Sequence, residues 1–321
     1  MQEFQDYRDV TLGFVGVGTI NKSMIQGLCN PDVGDKRAKK IIISPRNKEN
    51  AEQLASEFPD ILKIAKTNQE VVDKADWVIV GLRVDMIEKI VSELKFKDNQ
   101  LIVNLAAMPN EKFQSCVDNK TCTIVRSCPL PSMALNVGAP LIQPHNESVV
   151  NLFSTVGNPF VVSSNHEMYS MQGLACLMGP QYGIMNAVYE WLVEQDIEKE
   201  VAKQYTVEMY NSIIIDALEK VKHGNMDFKD MINEQSKGGL NEANHQFMER
   251  QHVYDQFKTT LENTYNKMNK NKQKQQQQTV NVLNTNQTQQ QKQFKPKIQS
   301  QPEMNSAFFK FSKISKYFFR K

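Results

Sequence analysis

The chain has 321 residues, 40% hydrophobic and 23% charged, with a formal net charge of +2 and a mean hydropathy of −0.50. That size predicts two domains and a remainder. The mix excludes an integral membrane protein, a collagen and a wholly disordered chain. The longest apolar runs, such as Trp77–Leu82, fall far short of the ~20 residues a membrane-spanning helix needs. The start, Met1–Asp6, is polar and acidic and lacks the pattern of a signal or transit peptide, so the expected location is cytoplasmic. Five cysteines without a CxxC pair predict no disulfide framework and no metal site. Twelve Lys and Arg against one acid lie from Asn266 onward, so the tail carries +11 and the first 265 residues −9. An acidic body argues against nucleic-acid binding, which relies on basic groups neutralising phosphates.

In chain order, Thr11–Gly16, Ile41–Ser44, Trp77–Leu82, Leu101–Leu105 and Thr123–Val125 read as buried strands, being nearly continuous in apolar residues. Helical patterns lie between them at Ile20–Cys29, Lys48–Phe58, Asp85–Leu94 and Asn110–Cys116. Asn47 and Asn110 are expected as N-caps. The alternation predicts a Rossmann-type, doubly wound α/β sheet over residues 1–165. The apolar runs Ala139–Ile142, Val149–Phe153 and Phe160–Val162 are expected to finish it. From 166 to 265 apolar residues recur at helical spacing through Met168–Leu177, Ile184–Leu192, Val201–Leu218 and Phe228–Ile232. This predicts an all-helical substrate and dimerisation domain, apolar enough to bury against a second copy.

Residues 266–321 form a distinct tail. Lys, Gln and Asn occupy 24 of the 35 positions in Asn266–Ser300, which predicts disorder. Ser306–Lys321 returns to aromatics, with Phe308, Phe311, Ile314 and Phe318 on one helical face and lysines largely elsewhere. It reads either as a basic amphipathic element for a membrane surface or partner or as a tail without a role.

The strongest local signal is Gly16-Val17-Gly18-Thr19-Ile20-Asn21, where a strand gives way to a helix. Gly16 permits the tight turn, and Gly18 lets the backbone approach a pyrophosphate over the helix N-terminus. Asn21 occupies the third glycine position. The same stretch, GVGTINKS, is one residue from a P-loop, with Asn21 in place of the glycine before Lys22. No later aspartate stands at a strand end to hold magnesium, which favours the dinucleotide reading. An acidic residue ending the second strand would select NAD. Here Ser44, Arg46 and Asn47 stand there instead, and a hydroxyl, a guanidinium and an amide suit the 2′-phosphate of NADP.

Longer stretches carry a family likeness. LGFVGVGTINKSMIQGL, ISPRN, ADWVIVGLRVDMIEKIVSEL, LIVNLAAMPNEKF, TIVRSCPLPSMALNVGAPLI, CLMGPQYG and SKGGLNEA occur in the order and spacing of the pyrroline-5-carboxylate reductase family. Over about residues 10–250 the chain resembles that family. The resemblance implies NADPH-dependent reduction of a cyclic imine to proline, in an interlocked homodimer whose helical domain completes the partner's site. The turn motif and the resemblance place the cofactor on Gly16, Gly18, Thr19, Ile20, Ser44, Arg46, Asn47, Leu82, Ala106 and Pro129. They place the substrate on Ser236, Gly238, Gly239 and Asn241. The chain departs from the family at Leu240-Asn241, where hydroxyl residues hold substrate, at Ala175–Met178 and at Arg83–Asp85. The substrate implied is therefore that imine or a closely related imine or carbonyl.

Such a site can be sparse, since a protonated imine already carries positive charge and needs positioning rather than a strong acid. Rival readings remain on the residues. Gly238-Gly239 alone reads equally as a helix cap. Arg126–Pro131 reads as a nicotinamide wall or a rigid proline turn. A β-hydroxyacid dehydrogenase would carry a lysine on the first helix of the second domain, and Met168–Val193 contains none. A non-catalytic NADP-binding dimer is the remaining alternative, favoured by Leu240. The five histidines lack ligand spacing.

Overall fold

The computed structural model describes residues 4–224 and 226–269. Six strands run parallel: β1 (Leu12–Val15), β2 (Ile41–Ile43), β3 (Leu62–Ile64), β4 (Trp77–Val80), β5 (Leu101–Asn104) and β6 (Thr123–Cys128). Strand β7 (Leu141–Gln143) pairs antiparallel with β6, and β8 (Phe160–Val161) pairs parallel with β7. The sheet order is β3-β2-β1-β4-β5-β6-β7-β8. The chain therefore winds outward from β1 in one direction and from β4 in the other. Their junction is the topological switch point, where an open α/β sheet leaves a crevice at the carboxyl ends of its strands.

Helices α1 (Thr19–Cys29), α2 (Lys48–Glu57), α3 (Asn68–Lys74), α4 (Val84–Val91), α5 (Asn110–Cys116) and α6 (Glu147–Val156) cover both faces. On one face Phe14, Ile43, Ile79 and Val103 meet Met24, Leu28 and Phe153. On the other, Val78, Val80 and Ile102 meet Val71, Ile87 and Phe113. Every residue of β1, β4 and β5 is buried. Double coverage is why these strands read as unbroken apolar runs rather than alternating ones.

Three expectations change. Val149–Phe153 is not a strand but the middle of α6, whose Val149, Leu152, Phe153 and Val156 are all fully buried. Their i, i+3, i+4, i+7 spacing is helical, and Asn146 caps the helix by accepting from Val149 N–H at 3.1 Å. Asn110 is the first helical residue of α5, with Pro109 at the cap, and its Nδ2 donates instead to the Gln143 carbonyl at 3.0 Å. Strand β3 and helix α3 were not expected from the sequence. Strand β3 lies at the sheet edge with only Leu62 buried, so it lacks an apolar run. Helix α3 is seven residues long.

Beyond Val161 no strand occurs among the described residues. Helices α7 (Asn165–Ala175), α8 (Met178–Glu194), α9 (Lys199–His223), α10 (Phe228–Asn233) and α11 (Leu240–Arg250) follow, and residues 253–269 are helical. Helix α7 buries Met168, Tyr169, Gln172 and Gly173. Helix α8 buries no side chain, and the 25 residues of α9 bury only Ala202 and Thr206. No described helix is long and apolar enough to cross a membrane. Residues through Met268 form one compact unit. The expectations for Lys270 onward, including the amphipathic Ser306–Lys321, lie outside the described residues.

Candidate cofactor site

The turn after β1 is held at both ends of one residue. Gly16 takes φ +86°, a backbone state that costs a side-chain-bearing residue heavily. A Cβ there would also lie 2.7 Å from Leu82 Cδ2 and 2.9 Å from the Gly81 carbonyl. Its N–H donates to Ser44 Oγ at 2.8 Å, and its carbonyl accepts from Asn21 Nδ2 at 2.6 Å. Gly18 then caps α1 without any side-chain hydrogen bond, and a Cβ on it would meet nothing within 4 Å. The first N–H groups of α1, at Thr19 and Ile20, therefore receive no side-chain cap. Uncapped helix N-termini carry positive potential and directed donors, the requirements of a phosphate site.

Around this turn the strand ends line up. Ser44 follows β2 and is fully buried. Its hydroxyl oxygen braces Gly16, which makes it a support of the turn. Arg46 and Asn47 are exposed. Asn47 caps α2, accepting from Asn50 N–H at 3.4 Å. Arg46 has no hydrogen bond or ion pair among the described residues, leaving its guanidinium free for an anion. Leu82 follows β4 and is half-buried. Ala106 follows β5, is buried, and donates its N–H to Asn104 Oδ1 at 2.9 Å. Pro129 follows β6 and is buried. All ten expected cofactor residues thus lie along the carboxyl edge of the parallel strands.

The four expected substrate residues lie elsewhere in the chain. Gly238, at φ +72°, and Gly239 form the turn that caps α11. Gly239 N–H donates to the Ser236 carbonyl at 2.9 Å, Gly238 N–H to Glu242 Oε2 at 2.5 Å, and Asn241 Nδ2 to Gln235 Oε1 at 2.8 Å. Among the described residues, no hydrogen bond or ion pair joins 228–250 to residues 4–165. Within one chain the two sets are not joined.

Several side chains resolve the competing readings. Lys22 Nζ is turned to α2, donating to Gln53 Oε1 at 2.5 Å and Asn50 Oδ1 at 3.4 Å. It does not reach into the turn as a P-loop lysine would. Asn50 also donates to the Val17 carbonyl at 2.9 Å, tying α2 to the turn, a role its sequence position did not signal. Arg126 on β6 is 1% exposed. It donates to Gln172 Oε1 at 2.8 Å and lies 5.1 Å from the centre of the Tyr169 ring. Its Nε and Nη1 have no partner, and burial pulls its pKa below the ordinary range. It therefore fastens α7 to the sheet rather than lining the crevice. All five cysteines are free thiols, and burial pushes Cys128 up to about 11. No cluster of metal-ligating side chains occurs among the described residues.

Comparison with known proteins agrees with this architecture. A sequence-family model described as NADP oxidoreductase, coenzyme F420-dependent, matches residues 11–108. No curated protein matches in sequence. A 1-pyrroline-5-carboxylate reductase from Streptococcus pyogenes superposes with a TM-score of 0.68 at 20% identity, covering 81% of this chain and 98% of that one. The Plasmodium falciparum pyrroline carboxylate reductase, solved with NADP bound, gives 0.68 at 16% identity over 81% and 97%. The Coxiella burnetii pyrroline-5-carboxylate reductase gives 0.68 at 18% identity over 81% and 98%. The chain has the fold of these reductases. The likeness runs through the helical region as well as the sheet, because the superposition spans nearly the whole of each reductase.

Proposed function

We propose that the chain is an NADPH-dependent oxidoreductase that reduces a cyclic imine, 1-pyrroline-5-carboxylate, to proline, and that it works as a homodimer. The observation that carries the reading is the N-terminus of α1, capped by Gly18 with no side-chain hydrogen bond and with open space beside Gly18, together with an exposed, unpartnered Arg46 after β2 on the same sheet edge. Those groups fit a dinucleotide with a 2′-phosphate. The amides of Thr19 and Ile20 would take the pyrophosphate, and Arg46 with Asn47 the extra phosphate. Leu82, Ala106 and Pro129 would wall the nicotinamide. The cofactor's chemistry is delivery of a hydride, which the carbon of a protonated C=N bond accepts to give a secondary amine.

The chain's own task is to place the imine. Backbone amides and side chains of Ser236, Gly238, Gly239 and Asn241 are suited to a carboxylate, but in one chain they are tied only to their own turn. Helices α8 and α9 leave Trp191, Tyr205, Ile213 and Ile214 exposed. Large apolar patches are uncommon on the surfaces of monomers. On this proposal a second copy covers these side chains, and the likeness to the reductases supports that copy's Ser236–Asn241 turn lying at the crevice. A second reading, a non-catalytic NADP-binding dimer, is favoured by Leu240. That side chain is 83% exposed beside the proposed substrate groups, an apolar group where a carboxylate would sit.

Titration with NADPH and NADH, followed by turnover of pyrroline-5-carboxylate, tests both. Tight NADPH binding with turnover is the expected result. Binding without turnover selects the second reading, and failure to bind NADPH overturns both.

A further inference from the structure

We infer that Asn21 is a positioning residue, a strut that fixes the cofactor turn and is itself locked in place by Gly81. The inference rests on the dinucleotide reading above and deepens it. Asn21 sits in the first turn of α1 yet is only 1% exposed. Its Nδ2 lies 2.6 Å from the Gly16 carbonyl and 3.5 Å from the Val15 carbonyl. Val15 O also accepts Gly81 N–H from the end of β4, at 3.0 Å. With Ser44 Oγ on its N–H, Gly16 has both backbone polar groups held by side chains. The most permissive residue of the turn is thereby confined.

Gly81 completes the lock. A Cβ built on it would lie 2.5 Å from Asn21 Nδ2, 2.6 Å from its Cγ and 2.8 Å from its Oδ1. The three nearest atoms all belong to Asn21, so glycine stands at 81 because asparagine stands at 21. Packing alone does not account for an amide there. Asn21 Oδ1 is buried without a partner, a cost that alanine would not carry. What asparagine adds is the donor to Gly16. That donor ties the first turn of α1 to the turn after β1, while the Asn21 side chain packs on Gly81 at the end of β4, so the turn that presents the Thr19 and Ile20 amides is braced against the strand end beside it.

The test uses the full chain with Asn21→Ala, Gly81→Ala and the double variant. It reads NADPH affinity, thermal unfolding and hydrogen exchange of the Gly18–Ile20 amides without cofactor. Asn21→Ala is expected to weaken NADPH binding about tenfold, the effect of one lost hydrogen bond, and to speed that exchange. Gly81→Ala should lower both thermal stability and affinity, because the new methyl displaces the amide. The double variant should regain thermal stability yet keep the tenfold weaker binding. Wild-type affinity in Asn21→Ala or in the double variant would reduce Asn21 to a filler and overturn the strut. A neutral Gly81→Ala would remove the lock. Should the wild type bind no NADPH, the function proposed above fails, while exchange at Gly18–Ile20 still reports whether the strut exists.

Discussion

Strands β1, β4 and β5 bury every residue they contain, whereas α8, seventeen residues long, buries none. Both are rich in large apolar side chains. The difference lies in what covers them. The sheet is sandwiched between helices of its own chain, α3 to α5 on one face and α1 with α6 on the other. Helices α8 and α9 have little beneath them but each other. The α/β half is thus complete as a folding unit, with each fully buried large side chain contributing ~1.5–3 kcal/mol. The helical half withholds that contribution until something covers it. On the proposed dimer, the substrate turn ahead of α11 belongs to the half that is finished only by assembly.

The sharpest way to break this contrast is a charge on the uncovered face. Ile214, 65% exposed on α9, would cost little on a true surface. On a dimer interface, Ile214→Asp buries an unpaired carboxylate and should abolish assembly, leaving aggregated or unfolded helices and no reductase activity. Sedimentation velocity across a concentration series checks this. A wild-type protein that sediments as a stable, active monomer would remove the interface.

The next largest effect lies in the self-sufficient half. Phe153 of α6 is fully buried between the helix and the sheet. Phe153→Ala should cost about 3–5 kcal/mol in denaturant unfolding, through lost burial and the cavity left behind. An effect below about 1 kcal/mol would mean that α6 is peripheral and the first core is smaller than it looks.

The contrast also explains what could be read from the residues. The strand ends that carry Gly16, Arg46, Ala106 and Pro129 were legible because the apolar runs locate them and a parallel sheet places them on one edge; the roles given to Ala106 and Pro129 came from the resemblance. The helical period of Val149–Phe153 was obscured because five residues hold barely more than one turn. Strand β3 was silent because an edge strand need not be apolar on both faces. Asn21 looked like a defect in a glycine pattern. Its partner Gly81 is sixty residues away, and only the packing of β4 against α1 brings them together. Ser236–Asn241 was legible as a motif and not as a place. Among the described residues no hydrogen bond or ion pair ties it to the strand ends, and on the proposed dimer its surroundings come from the second copy.

A smaller effect tests whether the cofactor edge of the α/β region acts apart from the helical one. Arg46→Ala should weaken NADPH binding by about 1–3 kcal/mol, as expected for a charge-assisted contact, and leave NADH unchanged. Isothermal titration with both cofactors measures the difference. Equal losses for the two would place Arg46 away from the 2′-phosphate. A loss of assembly as well would mean that the cofactor edge and the helical half are coupled rather than separate.

The smallest effect reports on the buried half alone. Cys29 closes α1 and is fully buried, and burial pushes its thiol from an ordinary 9.0 up to about 12. Well below pH 9 the thiol is protonated in both folded and unfolded chains, and its contribution to stability is intact. Above that, the unfolded chain releases the proton while the folded one keeps it, so stability falls as pH rises toward 12. At pH 10 the loss from this one group is about 1.4 kcal/mol. Cys128 adds a similar fall over a narrower window, since its thiol reaches about 11. Denaturant unfolding at pH 8 and pH 10 should therefore show the α/β transition weakening. Cys29→Ala should lower stability at pH 8 by a small packing loss, yet make the decline shallower, leaving the part due to Cys128 and to Cys122 and Tyr7, whose pKa values burial also raises. An unchanged slope in Cys29→Ala would mean that the thiol reaches water in the folded chain, and that the end of α1 is looser than its burial indicates.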